Sequence, residues 1–287
     1  MEYTIAHETT YYYPDSVHES YTILHLQPRS DQHQFCTKYN LEVAPRAKVH
    51  SYTDRYGNDV QHFAILPSHG SLSITTRSNV VTLLDRDMPL PTEATRELLD
   101  ADPQVPSFYD YQRESAYVQF TPELDAFWHE LEGPSESIGM WCHRISEHIH
   151  RSFTYDTKAT SVRTTVREAL AARAGVCQDF AHIMIAVLRS AGIPARYVSG
   201  YIFSGESRIL GAEASHAWCE AYLPPYGWVG FDPTNDLMVN DRFVKVAIGR
   251  DYRDVSPVRG VYRGSKHSEM SVNVAMDLLA TAQQQQQ

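Results

Sequence analysis

Cys177 lies in the stretch Ala174-Gly175-Val176-Cys177-Gln178-Asp179-Phe180-Ala181, just after a Gly-containing turn. The residues that follow read as a helix from Gln178 to Ala191. Phe180, Ile183, Met184, Val187, Leu188 and Ala191 recur at steps of three and four, which marks one buried stripe. Gly192 and Pro194 then stop the helix. The cysteine therefore sits at a helix N-terminus, where unpaired N–H groups and the positive end of the dipole favour a thiolate. The thiolate is the nucleophilic form of cysteine. A cysteine is also often a small buried hydrophobe, so a second feature must decide between the two readings.

That feature is the run from Ser215 to Thr234, which reads as two strands joined by the turn Pro224 to Gly227. Side chains alternate faces along a strand. His216, Trp218, Glu220 and Tyr222 thus share one face, as do Trp228, Gly230 and Asp232. Folding the hairpin at its turn brings His216 opposite or diagonal to Asp232, ~4.5 to 8 Å away. The carboxylate can then hold one imidazole nitrogen while the other faces the thiolate. Nucleophile, base and orienter are the set that acyl transfer requires. The backbone N–H of Cys177, at a helix start, is the natural first donor to an oxyanion.

Gly-Val-Cys-Gln-Asp-Phe-Ala, Ser-His-Ala-Trp and Trp-Val-Gly-Phe-Asp-Pro-Thr resemble, in order and spacing, the three motifs of the transglutaminase-like superfamily. The closer resemblance is to its bacterial branch of cysteine proteases. Ala195 to Tyr201 resembles that family's strand between cysteine and histidine. The resemblance implies an α+β, papain-like core with Cys177, His216 and Asp232 as catalytic residues and no cofactor or metal. It also implies that the segment Phe153-Thr154-Tyr155 borders the cleft. Tyr155 is then a wall of the site, an oxyanion donor or a packed tyrosine. Gln178, Trp218 and Trp228 complete the candidates for substrate or oxyanion contact, and the two tryptophans fit core and site wall alike.

The positioning elements follow from periodicity. Residues 1 to 85 alternate like short strands separated by turns, which suggests an all-β sandwich. The turn Asp54-Arg55-Tyr56-Gly57-Asn58 and the early Tyr-Pro resemble the N-terminal domain that accompanies the bacterial core. Residues 86 to 120 carry Pro89, Pro91, Pro103 and Pro106 among acidic residues and read as a connector, with a short helix near Thr92 to Leu99 and Phe108 to Tyr111 as its anchor. Residues 121 to 265 form the catalytic core. It contains a helix from Ser137 to Ser152 and a shorter one opened by the capping box Thr165 to Glu168. Ser204 to Ala214 is polar and ends at the histidine, as either a lid or an ordinary surface loop. Leu237 to Ile248 and Arg250 to Ser256 read as further strands. Residues 266 to 287 give an edge strand near Ser271 to Leu279 and a disordered low-complexity run from Gln283 to Gln287.

Composition narrows the function classes. The chain has 287 residues and a formal net charge of −10, which argues against a nucleic-acid partner. No apolar run approaches the ~20 residues of a membrane span. The first residues lack the basic and apolar regions of a secretory signal, so the expected compartment is the cytoplasm, with Cys36, Cys142, Cys177 and Cys219 as free thiols. The expected partner is a peptide, protein or small amide substrate. Three functions remain open: a cysteine hydrolase, an acyl transferase that passes a glutamine acyl group to an amine, and a non-catalytic binding module on the same fold.

Overall fold

The computed structural model describes residues 1–131, 133, 137–205, 209–211 and 215–279. The Gln283 to Gln287 run and parts of the 204–214 segment lie outside the described residues. Alternation rules the first third of the chain. Tyr3, Ile5, His7 and Thr9 are buried while the residues between them are not, as in a strand with one covered face. Short strands separated by turns were expected here, but the chain runs on as a single long strand, β1 (Glu2–Leu24). A register shift between Tyr12 and Val17 lets it bend without ending. It is followed by β2 (Gln34–Ala44), β3 (His50–Thr53), β4 (Asp59–Ile65) and β5 (His69–Thr82). The antiparallel order is β2-β5-β1-β4-β3. The expected sandwich thus takes the form of a half-barrel, two leaves sharing one bent strand around Tyr13, Val17, Leu24, Phe63, Leu72 and Ile74.

The connector holds α1 (Arg96–Ala101) and a 3-10 segment, Val105–Tyr111. Helix α1 starts later than expected because Thr95, not Thr92, caps it by accepting from the Leu98 N–H. Phe108 and Tyr111 anchor the connector against Trp228, with ring centroids 5.0 and 5.4 Å away. Then come α2 (Pro122–Glu130), α3 (Ile138–Ser152), β6 (Thr154–Tyr155), α4 (Val166–Ala172), β7 (Ala174–Gly175) and α5 (Cys177–Ser190). The capping box of α4 is present, with the Thr165 N–H donating to Glu168 Oε2 at 2.8 Å. Where one buried stripe was expected on α5, the helix is buried nearly all round, because a sheet covers one side and α2, α3 and α4 the other. Its Arg189 is buried too, and donates to the carbonyls of Ala195 (2.9 Å), Arg113 (2.9 Å) and Arg250 (2.7 Å). One cation therefore ties the connector and a later loop to the central helix.

The core sheet comprises β8 (Ala195–Ile202), β9 (His216–Leu223), β10 (Gly227–Asp232), β11 (Leu237–Met238) and β12 (Phe243–Gly249), in the order β11-β10-β9-β8-β12. Ala217, Cys219 and Ala221 belong to the cluster packed around α5, and their small size lets the helix lie close. Trp218 joins Val198, Ile202 and Phe243 in a cluster of its own. Arg250 to Ser256, expected as a strand, contains the helix α6 (Tyr252–Val255), because Asp251 caps it by accepting from the Arg253 N–H at 2.9 Å. The chain then returns to the half-barrel. β13 (Val258–Arg263) pairs with the second half of β1 and β14 (Glu269–Leu278) with the first. All four cysteines are free. Among the described residues no helix is long and apolar enough to cross a membrane.

Candidate active site

The turn before α5 is built around Asp179. Its Oδ2 accepts from the Val176 N–H at 2.9 Å and from Thr160 Oγ1 at 2.7 Å. A Cβ on Gly175 would fall 2.6 Å from that oxygen, so a glycine is needed for the carboxylate to fold back over the turn. Burial pushes the Asp179 carboxyl up, against the pull of its donors. The result puts Cys177 in the first helical position. The N–H groups of the first turn have no acceptor within the helix. Cys177 is 9% exposed and opens on a cleft of about 230 Å³ that His216 also lines.

The hairpin register pairs Gly230 with Glu220 and Phe231 with Cys219. Asp232 therefore stands diagonal to His216 on one face, one of the two placements expected. His216 Nε2 lies 2.8 Å from Asp232 Oδ2, with both side chains at 0% exposure. A carboxylate only accepts, so Nε2 carries the proton. Asp232 accepts twice more, from the Thr234 N–H at 3.0 Å and from Asn235 Nδ2 at 2.8 Å. Burial alone disfavours the imidazolium. The charge and hydrogen bond of Asp232, followed by the neighbouring Cys177, outweigh it and raise His216 to about 10. The other nitrogen, Nδ1, is buried and without a hydrogen-bond partner. The pair is thus built to hold a positive imidazole beside a sulfur.

Asn235 is a site residue that the sequence reading missed. Besides Asp232 it meets the backbone of Leu210, accepting from its N–H at 2.9 Å and donating to its carbonyl at 3.2 Å. One amide thus joins the carboxylate to residues 209–211. Gly211, at φ +80°, lies against the imidazole, and a Cβ there would stand 2.8 Å from Nδ1. The Asp-Pro-Thr-Asn sequence was the available signal, since such turn residues bond nearby backbone.

Of the other candidates, Tyr155 is beside the site. Burial, then the charges of Cys177 and Asp232, push its phenol up to about 12, so it stays a neutral donor. Gln178 lines the cleft and donates through Nε2 to the Val162 carbonyl at 3.2 Å. The structure does not bring Trp218 and Trp228 into the cleft. They line a separate cavity of about 140 Å³ with Glu220. The face they share with His216 reaches the cleft only at the strand end, and further along it is covered by the connector and the half-barrel. Trp218 instead packs beside the imidazole, with centroids 6.3 Å apart. Glu220 is held as an ion, near 2, by Arg196 and Lys245 despite its burial.

The comparisons with known proteins bear on the family and the fold. Residues 130–233 match the transglutaminase-like superfamily, and residues 3–81 match the bacterial transglutaminase-like N-terminal region. An uncharacterized protein of Mycobacterium tuberculosis, Rv2569c, is 34% identical over 304 residues, covering 95% of this chain and 91% of its own. The solved structure of a candidate cysteine protease from Cytophaga hutchinsonii superposes with a TM-score of 0.77 at 26% identity, covering 98% of this chain and 92% of that one. A protein-glutamine gamma-glutamyltransferase of Pseudomonas aeruginosa is 37% identical over 92 residues, which are 30% of this chain and 14% of that protein. With both of its regions matched and a relative alike along almost its whole length, the chain belongs to the transglutaminase-like superfamily and carries that superfamily's bacterial N-terminal region.

Proposed function

We propose that this protein is a cysteine-dependent acyl-transfer enzyme that hydrolyses a peptide or related amide bond. Cys177 Sγ attacks the carbonyl carbon, and the N–H of Cys177 receives the oxyanion. Tyr155 is the candidate for a second donor. His216 gives its Nδ1 proton to the leaving amine as the C–N bond breaks, and a thioester remains. Water then attacks the thioester, losing a proton to Nδ1, and the acid leaves as the thiol is restored. Asp232 keeps the Nε2 proton in place throughout. The observation that supports this most is a buried imidazole bonded through Nε2 to Asp232, with Nδ1 left unpartnered and Cys177 as its neighbour.

Limiting iodoacetamide at pH 6, followed by mass mapping, tests the reading. Burial pushes the thiols of Cys36, Cys142 and Cys219 up, so Cys177 is expected to label first. Cys177→Ala should abolish both that labelling and any amidase activity. Equal labelling of Cys177 and Cys219, unchanged in His216→Ala, would favour the non-catalytic module. The likeness to the gamma-glutamyltransferase over 92 residues supports a second reading, in which an amine replaces water as acceptor. Product masses in the presence of a primary amine separate the two: a free acid for hydrolysis, a new amide for transfer.

A further inference from the structure

The N-terminal half-barrel forms one wall of the Cys177 cleft. β1 and β14 pair with Thr9 opposite Val272 and Tyr11 opposite Met270, so these four side chains share a face of one ribbon. All four line the cleft. Met270 is 59% exposed and Val272 37% exposed, which leaves apolar surface uncovered next to the nucleophile. Val162 and Val258 extend the apolar lining. No Asp, Glu, Lys or Arg lines the cleft among the described residues. Its polar end is internally satisfied. His7 meets Tyr201 Oη at 2.8 Å through Nδ1 and Thr9 Oγ1 at 2.9 Å through Nε2. Burial lowers His7 to about 4, so it brings no charge near neutral pH.

We propose that this ribbon selects the acyl donor: the substrate is a peptide with an apolar side chain, of the Leu, Phe or Met class, beside the carbonyl that Cys177 attacks, and the half-barrel holds that side chain. The proposal rests on the acyl-transfer reading above. An apolar side chain gains by covering Met270, Val272 and Tyr11. A charged one would lose its water, and the apolar wall offers it no Asp, Glu, Lys or Arg in return. The β1–β14 ribbon of the half-barrel is therefore the specificity element of the site, and the triad is its chemistry.

Peptidyl acyloxymethyl ketones of the form acetyl-Ala-Ala-X, with X as Leu, Phe, Lys or Asp, provide the test. The Cys177 thiolate displaces the acyloxy group, which leaves as a carboxylate, and a thioether forms on the methylene carbon beside the ketone. The Leu and Phe probes should modify Cys177 at least about tenfold faster than the Lys and Asp probes, the low end of what burying such a side chain contributes. Val272→Lys should move the Leu-to-Asp rate ratio toward Asp by about tenfold or more, and Met270→Asp should move the Leu-to-Lys ratio toward Lys by a similar factor. A ratio taken within one variant cancels any change in thiol reactivity, and the exposure of both positions makes the substitutions tolerable to the fold. Ratios near one in the native protein, or ratios unmoved by both substitutions, overturn the inference while Cys177 still labels with iodoacetamide. Failure of that labelling in the native protein would overturn the acyl-transfer reading and this inference with it.

Discussion

His182 and His216 are each 1% exposed, one in the middle of α5 and the other at the start of β9, yet the two are driven in opposite directions. His182 lies between the rings of Tyr117 and Tyr197 and accepts the Tyr252 N–H at 3.1 Å. Burial takes it down to about 4, although Asp251 pulls the other way. His216, no less enclosed, stands near 10. The difference is where the carboxylate spends its oxygens. Asp251 gives its two to the backbone N–H groups of Tyr117 and Arg253, whereas Asp232 gives Oδ2 to the imidazole. Burial sets the default for a histidine, and a directly bonded carboxylate reverses it.

The largest expected effect comes from making His216 resemble His182. In Asp232→Ala the burial of His216 loses its main opponent, so its pKa should fall from about 10 to below the ordinary 6.5. Turnover should drop by about 10³ to 10⁴. NMR titration of the ring nitrogens reads the first effect, and a His216 titration unmoved by the substitution would break the comparison.

Stability against pH comes next, and the two histidines should tilt it in opposite senses. His182 has an ordinary value of 6.5 and a folded value of about 4. Between these the unfolded chain binds more protons, so stability should fall as pH drops from 6.5 to 4, by up to about 3 kcal/mol. His7 adds to the same acid limb. His216 is raised, so its contribution is full below 6.5 and is lost as pH rises through about 10. Urea unfolding at pH 7 and pH 5 should show the acid loss. His182→Gln, which still offers an acceptor to Tyr252, should make that limb shallower. An unchanged slope would mean that other groups dominate it.

A smaller effect is expected from Asn235. Asn235→Ala should slow Cys177 alkylation and turnover by about 10- to 100-fold, as the carboxylate loses one of the bonds that aim it. Asn235→Asp keeps an acceptor for the Leu210 N–H but no donor for Asp232. It should be impaired as well, and native behaviour in this variant would show that only the backbone attachment matters. The smallest effect is Gly211→Ala, which adds a Cβ near Nδ1 at a positive φ. About 1 kcal/mol of stability should be lost, with alkylation slowed but not abolished. Thermal unfolding and a labelling time course distinguish these changes.

The parts legible in the sequence were those set by local rules. Gly175 before Cys177, the helical spacing after it and the hairpin turn at Pro224 to Gly227 each express short-range geometry. They were enough to place His216 and Asp232 on one face. What stayed hidden depends on distant partners. Periodicity on α5 shows the best stripe but not that a sheet and three helices together cover it nearly all round, so Arg189 and His182 were passed over. Alternation placed Trp218 and Trp228 on the histidine's face without showing that the connector and half-barrel close over that face. Asn235 was missed because its role needs Leu210 and Asp232 together. Arg250 to Ser256 was misread because a capping aspartate, Asp251, starts a short helix in a mostly polar stretch.

The return of residues 258–278 to β1 bears on when the cleft can exist at all. Tyr3 pairs with Leu278 and Tyr11 with Met270, so contacts of extreme sequence separation complete the wall beside Cys177. Loop closure over such a span is slow, and until it occurs β1 presents an unpaired edge. During refolding, helical structure around α5 should therefore return before the cleft does. Cys177 would stand for a time without the β1–β14 wall of its cleft, more open to oxidation and to wrong partners. The wall of the cleft thus forms only once the two ends of the chain have met.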